Sequence, residues 1–241
     1  MTALWGLLAA AAWLAVYRLP LRSPRTRQRF RLWVASRTPL PGRLVFPVVG
    51  TAIYLVAGLL AAGGLAWVAG VRLPGVLSWR VTPHGAATTL LAVVGANALT
   101  GFAMGVVAAA RPGLDLAGAV TTVRWVQEVG AFGRRWRWVV PMISAAVEEF
   151  FFRGVLLFAL LGHGTPAWLA VAVAGLVFTT GQVLLTENRT QALVLGLASG
   201  ALSLVGGLLV LAEGSVLPAV LVHASFAGYY THASFDRRAH G

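Results

Sequence analysis

Two carboxylates stand side by side in an otherwise apolar run. It reads Val139-Val140-Pro141-Met142-Ile143-Ser144-Ala145-Ala146-Val147-Glu148-Glu149-Phe150-Phe151-Phe152-Arg153-Gly154. A charge near the middle of a membrane span costs about 2.5–3.5 kcal/mol on insertion scales, so each needs a partner. Glu149 and Arg153 are four apart and share a helix face, which suits an ion pair. Glu148 is rotated about 100° from Glu149, because a helix has about 3.6 residues per turn. Its partner must come from another helix or from water. One carboxylate is thus fitted to support, and its neighbour is free to act as a general base. The structural alternative is that all three charges only stabilise a helical bundle. His223 is the only histidine deep inside an apolar run. If residues 139 and 232 mark span ends on one side, Glu148 and His223 each lie nine positions in. At 1.5 Å per residue both sit about 13 Å deep. The run 165–185 travels the opposite way and brings Thr179, Thr180 and Gln182 towards that side. A polar pocket can therefore be drawn from three runs.

The elements that must hold these residues follow from composition. The chain has 241 residues, 58% hydrophobic and 11% charged, with a mean hydropathy of +0.79. Soluble domains are about 45–50% apolar and about 25% charged, so a soluble domain and a disordered chain are both excluded. No cysteine is present, which removes disulfides, zinc thiolates and cysteine nucleophiles. Seven runs have the length and apolarity of membrane helices: 2–17, 44–69, 86–110, 139–161, 165–185, 191–211 and 215–232. The first has no basic residue before its apolar core and no small-x-small site after it, so it reads as an uncleaved span. No repeat and no second domain is evident. The expected fold is all-α: a single membrane domain over 1–241, a polytopic bundle of about seven transmembrane helices, with residues 139–231 as its core.

The net charge of +12 comes from 19 basic residues, all arginine, against seven acids. Loop 18–43 holds eight arginines, loop 111–138 holds five, Arg189 stands in the loop 186–190, and the tail holds Arg237 and Arg238. Only Arg72 and Arg80 fall on the opposite side. Sixteen inside and two outside is a strong positive-inside signal. It predicts the N-terminus outside, the C-terminus inside and a multi-pass protein of the cell membrane. The basic surplus is then topological rather than a nucleic-acid footprint. Loop 18–43 also suits contact with anionic lipid.

Smaller features have plainer readings. Leu116, Val120, Val123, Val129 and Phe132 are spaced for a short interfacial helix over 115–132, and Trp125, Trp136 and Trp138 for an interface belt. Gly101/Gly105 and Gly196/Gly200 are small-xxx-small pairs suited to close helix packing. Ser144 and Ser225 show no triad spacing. His84, His163, His232, His240 and Glu213 have ordinary surface readings.

Glu148-Glu149-Phe150-Phe151-Phe152-Arg153 resembles the E-E-x-x-x-R motif of the CPBP (Abi) family, which includes the type II CAAX prenyl endopeptidases. Gly214 to Ala224 looks like that family's last motif region, and Phe178-Thr179-Thr180-Gly181-Gln182 falls where the family carries F-x-x-x-H. The resemblance covers about 139–231. It implies an intramembrane endopeptidase in which Glu148 activates a water, His223 stabilises the oxyanion, the residue at 182 helps hold the water, and Glu149 and Arg153 support. Gln182 replaces the family histidine and Ala227 the family asparagine. Glutamine can hydrogen-bond a water but cannot take its proton, and a lost oxyanion donor typically costs about 2.7–4 kcal/mol. Ser225 is a candidate replacement donor. The expected partners are membrane lipid and a membrane-tethered or lipidated peptide, with no nucleic acid and no cofactor. A zinc site wants about three protein ligands, and Glu148 plus His223 leaves too few, so no metal is expected. The alternative is a catalytically degenerate relative that binds a membrane partner or lipidated peptide. A transporter or proton relay using both glutamates finds no repeat or interrupted spans in support.

Overall fold

The computed structural model describes residues 2–18 and 23–239, with side chains given for neither 18, 24 nor 233–239. Asp236, Arg237, Arg238 and His240 therefore lie outside the described side chains. The architecture is all-α, and no strand occurs among the described residues. Twelve α-helices follow in order: α1 (Thr2–Arg18), α2 (Pro24–Ala35), α3 (Val45–Ala69), α4 (Leu73–Leu77), α5 (Pro83–Ala110), α6 (Leu116–Thr122), α7 (Arg124–Gly130), α8 (Trp136–Glu149), α9 (Phe158–Gly162), α10 (Ala167–Leu184), α11 (Arg189–Glu213) and α12 (Leu217–Ala239). Helices cover all seven apolar runs. Four helical stretches are long and apolar enough to cross a membrane on their own: Gly42–Ala69, Pro83–Ala110, Ala167–Leu184 and Arg189–Glu213. Large apolar side chains such as Trp67, Leu91, Phe102 and Trp168 are strongly exposed, while Glu148, Glu149, Arg153 and His223 are buried. That inversion suits a chain whose solvent is lipid.

The helix ends are written in the sequence. Thr82, Asp115 and Asn188 cap α5, α6 and α11 by accepting the backbone N–H three residues on. Gly70 and Gly214 end α3 and α11 with φ of 67° and 65°, a region where a side chain is strained. Between α8 and α9 the helix does not stop but widens into a π-helix, Phe150–Leu157. Such wide turns are rare and cluster at functional sites. This one begins directly after the glutamate pair.

The core is built on that segment. Trp13 of α1 packs on Tyr54 of α3 and on Phe151 and Phe152 of the wide turn, with ring centroids at 4.8, 5.5 and 6.0 Å. α10 lies along α11, and α12 along α8.

Several expectations change. The interfacial helix over 115–132 is two helices, α6 and α7, because Val123 adopts an extended conformation (φ −62°, ψ 131°) and buries its side chain completely. The loop after α1 contains α2. The close helix approaches do not use the small-xxx-small pairs: a methyl at Gly101, Gly105 or Gly200 would meet nothing within 4 Å, and one at Gly196 would make an ordinary 3.4 Å contact. They use Gly6, Gly58 and Gly207, where a methyl would come within 2.3, 2.6 and 2.7 Å of Leu156, Trp13 and Val171. Glu213 is not merely solvated, since Trp79 Nε1 donates to it at 3.1 Å. His232 packs on Trp138 at 4.8 Å, and His163 bonds the Ala159 carbonyl at 2.8 Å.

Candidate active site

The two glutamates face different neighbours, as their 100° offset requires. Glu149 is almost fully buried. Its Oε1 accepts from Arg153 Nη1 at 2.9 Å and from His223 Nδ1 at 2.9 Å. Arg153 is equally buried. Its Nη2 donates to Ser203 Oγ of α11 at 3.1 Å, and its guanidinium lies over the Phe178 ring at 4.5 Å. Phe178 meets His223 edge-on at 5.6 Å. The expected Glu149–Arg153 pair is therefore present, and it extends to α10, α11 and α12.

Glu148 makes no contact with Arg153. Its Oε1 accepts from the Tyr54 hydroxyl at 2.6 Å, and its Oε2 accepts from Gln182 Nε2 at 3.0 Å. His223 Nε2 stands 3.9 Å from the same Oε2. With Nδ1–H given to Glu149, Nε2 of His223 is the nitrogen turned towards Glu148. A carboxylate that orients an imidazole through Nδ1 leaves Nε2 to take or give a proton, the same logic as a catalytic triad. Glu148, Gln182 and His223 thus converge from α8, α10 and α12.

All three line a cavity of about 450 Å³, within the size range of small-molecule sites. Ser144, Ala227 and Thr231 share that lining. Ala227 offers only a methyl at the place where the family asparagine would stand. Ser225 does not replace it. Its hydroxyl turns back to the Leu221 and Val222 carbonyls of its own helix. Among the described residues, no group of three or more His, Cys, Asp or Glu is arranged to hold a metal ion.

Tyr54 is the site residue that sequence reasoning missed. It lies nine residues into α3, the same depth at which Glu148 and His223 were placed. The depth arithmetic alone would have found it. Gln182, expected in the same pocket, reaches Glu148 from three residues before the end of its run.

Among the described residues, four membrane-length apolar helices around a buried Glu-Glu-Arg-His cluster point to a membrane protein. Residues 133–228 match the family model described as Type II CAAX prenyl endopeptidase Rce1-like. That match, over the segment that carries the site, supports membership of the CPBP, or CAAX protease, family. No curated protein and no solved structure matches the chain.

Proposed function

We propose that this chain is a multi-pass intramembrane endopeptidase of the cell membrane, with seven spans in one domain, its N-terminus outside and its C-terminus inside. Glu148 takes a proton from a water, and that water attacks a peptide carbonyl of a membrane-tethered or lipidated substrate. The water oxygen adds to the carbonyl carbon as the C=O π pair moves onto oxygen, and the tetrahedral oxyanion then collapses, breaking the peptide C–N bond while Glu148 passes its proton to the leaving amine. His223 stands beside the developing oxyanion, and Gln182 steadies the Glu148 carboxylate. Glu149 and Arg153 support, Glu149 by fixing the His223 ring. One observation carries this reading. Glu148 is held by neutral donors and faces a cavity, instead of being neutralised by Arg153. A buried carboxylate needed only for stability would be expected in the ion pair. Glu148→Ala should abolish cleavage of a prenylated peptide in membranes, and unchanged turnover would overturn the assignment.

The degenerate alternative rests on Gln182 and Ala227. Gln182 spends its amide on Glu148, and Ala227 brings no donor to the cavity. The double variant Gln182→His/Ala227→Asn separates the readings. Cleavage by the wild type supports the endopeptidase, and cleavage only by the double variant supports a binding protein that has lost its activity.

A further inference from the structure

Tyr54 lies outside the family-matched segment, yet it makes the shortest hydrogen bond to the proposed base. It is also held unusually well. Trp13 Nε1 donates to its backbone carbonyl at 2.8 Å. Its ring is packed by Trp13 at 4.8 Å and edge-on by Tyr17 at 5.0 Å. One turn further along α3, Gly58 lets the helix close on α8. A methyl there would lie 2.6 Å from Trp13 and 2.7 Å from Val147, the residue before Glu148. Tyr54 and Gly58 are four apart and share a helix face. The same face of α3 therefore brings the backbones together and delivers the hydroxyl.

We propose that Tyr54 is the positioning residue for Glu148, and that α1 and α3, outside the family-matched segment, complete the site. This rests on the endopeptidase reading. The hydroxyl donates to Oε1 while Gln182 donates to Oε2, so the carboxylate plane is pinned from both sides. Held at both oxygens, the carboxylate keeps one orientation at the cavity wall.

The test is Tyr54→Phe, which keeps the ring packing and removes the hydroxyl, in the full chain reconstituted in proteoliposomes. Two readouts are needed. The first is cleavage of a prenylated peptide: kcat should fall about tenfold or more, as expected for losing a hydrogen bond to a charged group, with KM unchanged. The second is modification of Glu148 by dicyclohexylcarbodiimide, which attacks protonated carboxyls, read by mass spectrometry against a Glu148→Gln background. Labelling of Glu148 should quicken several-fold. A fall in kcat matched by an equal rise in KM, or labelling at the wild-type rate, would overturn the proposal. Should Tyr54→Phe fail to fold, Trp13→Phe removes the indole N–H that holds Tyr54. It should shift both readouts in the same direction, and no shift would overturn the proposal. If the wild type cleaves nothing, the endopeptidase reading fails and takes the catalytic use of Tyr54 with it. The labelling then still reports whether Tyr54 governs Glu148.

Discussion

Glu149 serves two partners with one oxygen, and both are buried with it. Removing one member of a buried ion pair leaves an uncompensated charge, typically at a cost of about 3–5 kcal/mol. Arg153→Met should therefore melt far below the wild type in detergent. Arg153→Lys keeps the charge but lacks the planar fork that reaches Glu149 and Ser203 together, so it should fall between them. A methionine variant as stable as the wild type would contradict the structural role. The pair itself was legible from spacing alone, because four residues on a helix fix a shared face. The contact from His223 to Glu149 was not, since it depends on how α12 crosses α8. Tyr54 was overlooked for another reason. A tyrosine among Ile53 and Leu55 looks like ordinary packing until its depth is compared with that of Glu148.

The elements are positioned by glycines that no pattern search favours. Gly58→Ala would push a methyl against Trp13 and Val147, and overpacking of this kind costs about 1–3 kcal/mol. Thermal unfolding should register that loss for Gly58→Ala, while Gly200→Ala, with open space around it, should melt like the wild type. Equal melting of the two variants would refute this account of the helix contacts. Small-xxx-small spacing marks a narrow helix face, but crossing geometry decides whether a neighbour meets that face. The wide turn at Phe150–Leu157 was equally hidden, because in hydropathy its run is continuous with the α-helices on either side. By contrast, α3, α5 and α11 could be read directly from long apolar runs with a capping residue or a glycine at an end, and α10 from its apolar run alone.

At the scale of the molecule, the hydropathy pattern located the long helices, and among the described residues four stretches reach membrane length and apolarity unaided. The other three expected spans fall short for physical reasons. α1 is short, the run through α8 and α9 carries Glu148, Glu149 and Arg153, and α12 carries His223 with hydroxyl-bearing neighbours. Of the helices that bear the site, α8 and α12 are the ones whose polar residues dilute their hydropathy, while α3 and α10 bring Tyr54 and Gln182 from fully apolar spans. The orientation is open to direct measurement, since the chain has no cysteine and a single introduced one carries no background. Ser36→Cys should react with an impermeant maleimide only in inverted vesicles, and His163→Cys only from the outside of intact cells. Labelling of both from the same side would refute the seven-span topology. The central claim is chemical, and it is tested most directly by purified protein in proteoliposomes with a prenylated peptide, comparing wild type with the near-isosteric Glu148→Gln. The account predicts release of the C-terminal fragment by the wild type and none by the variant. Equal release by both, or no release by the wild type, would contradict it.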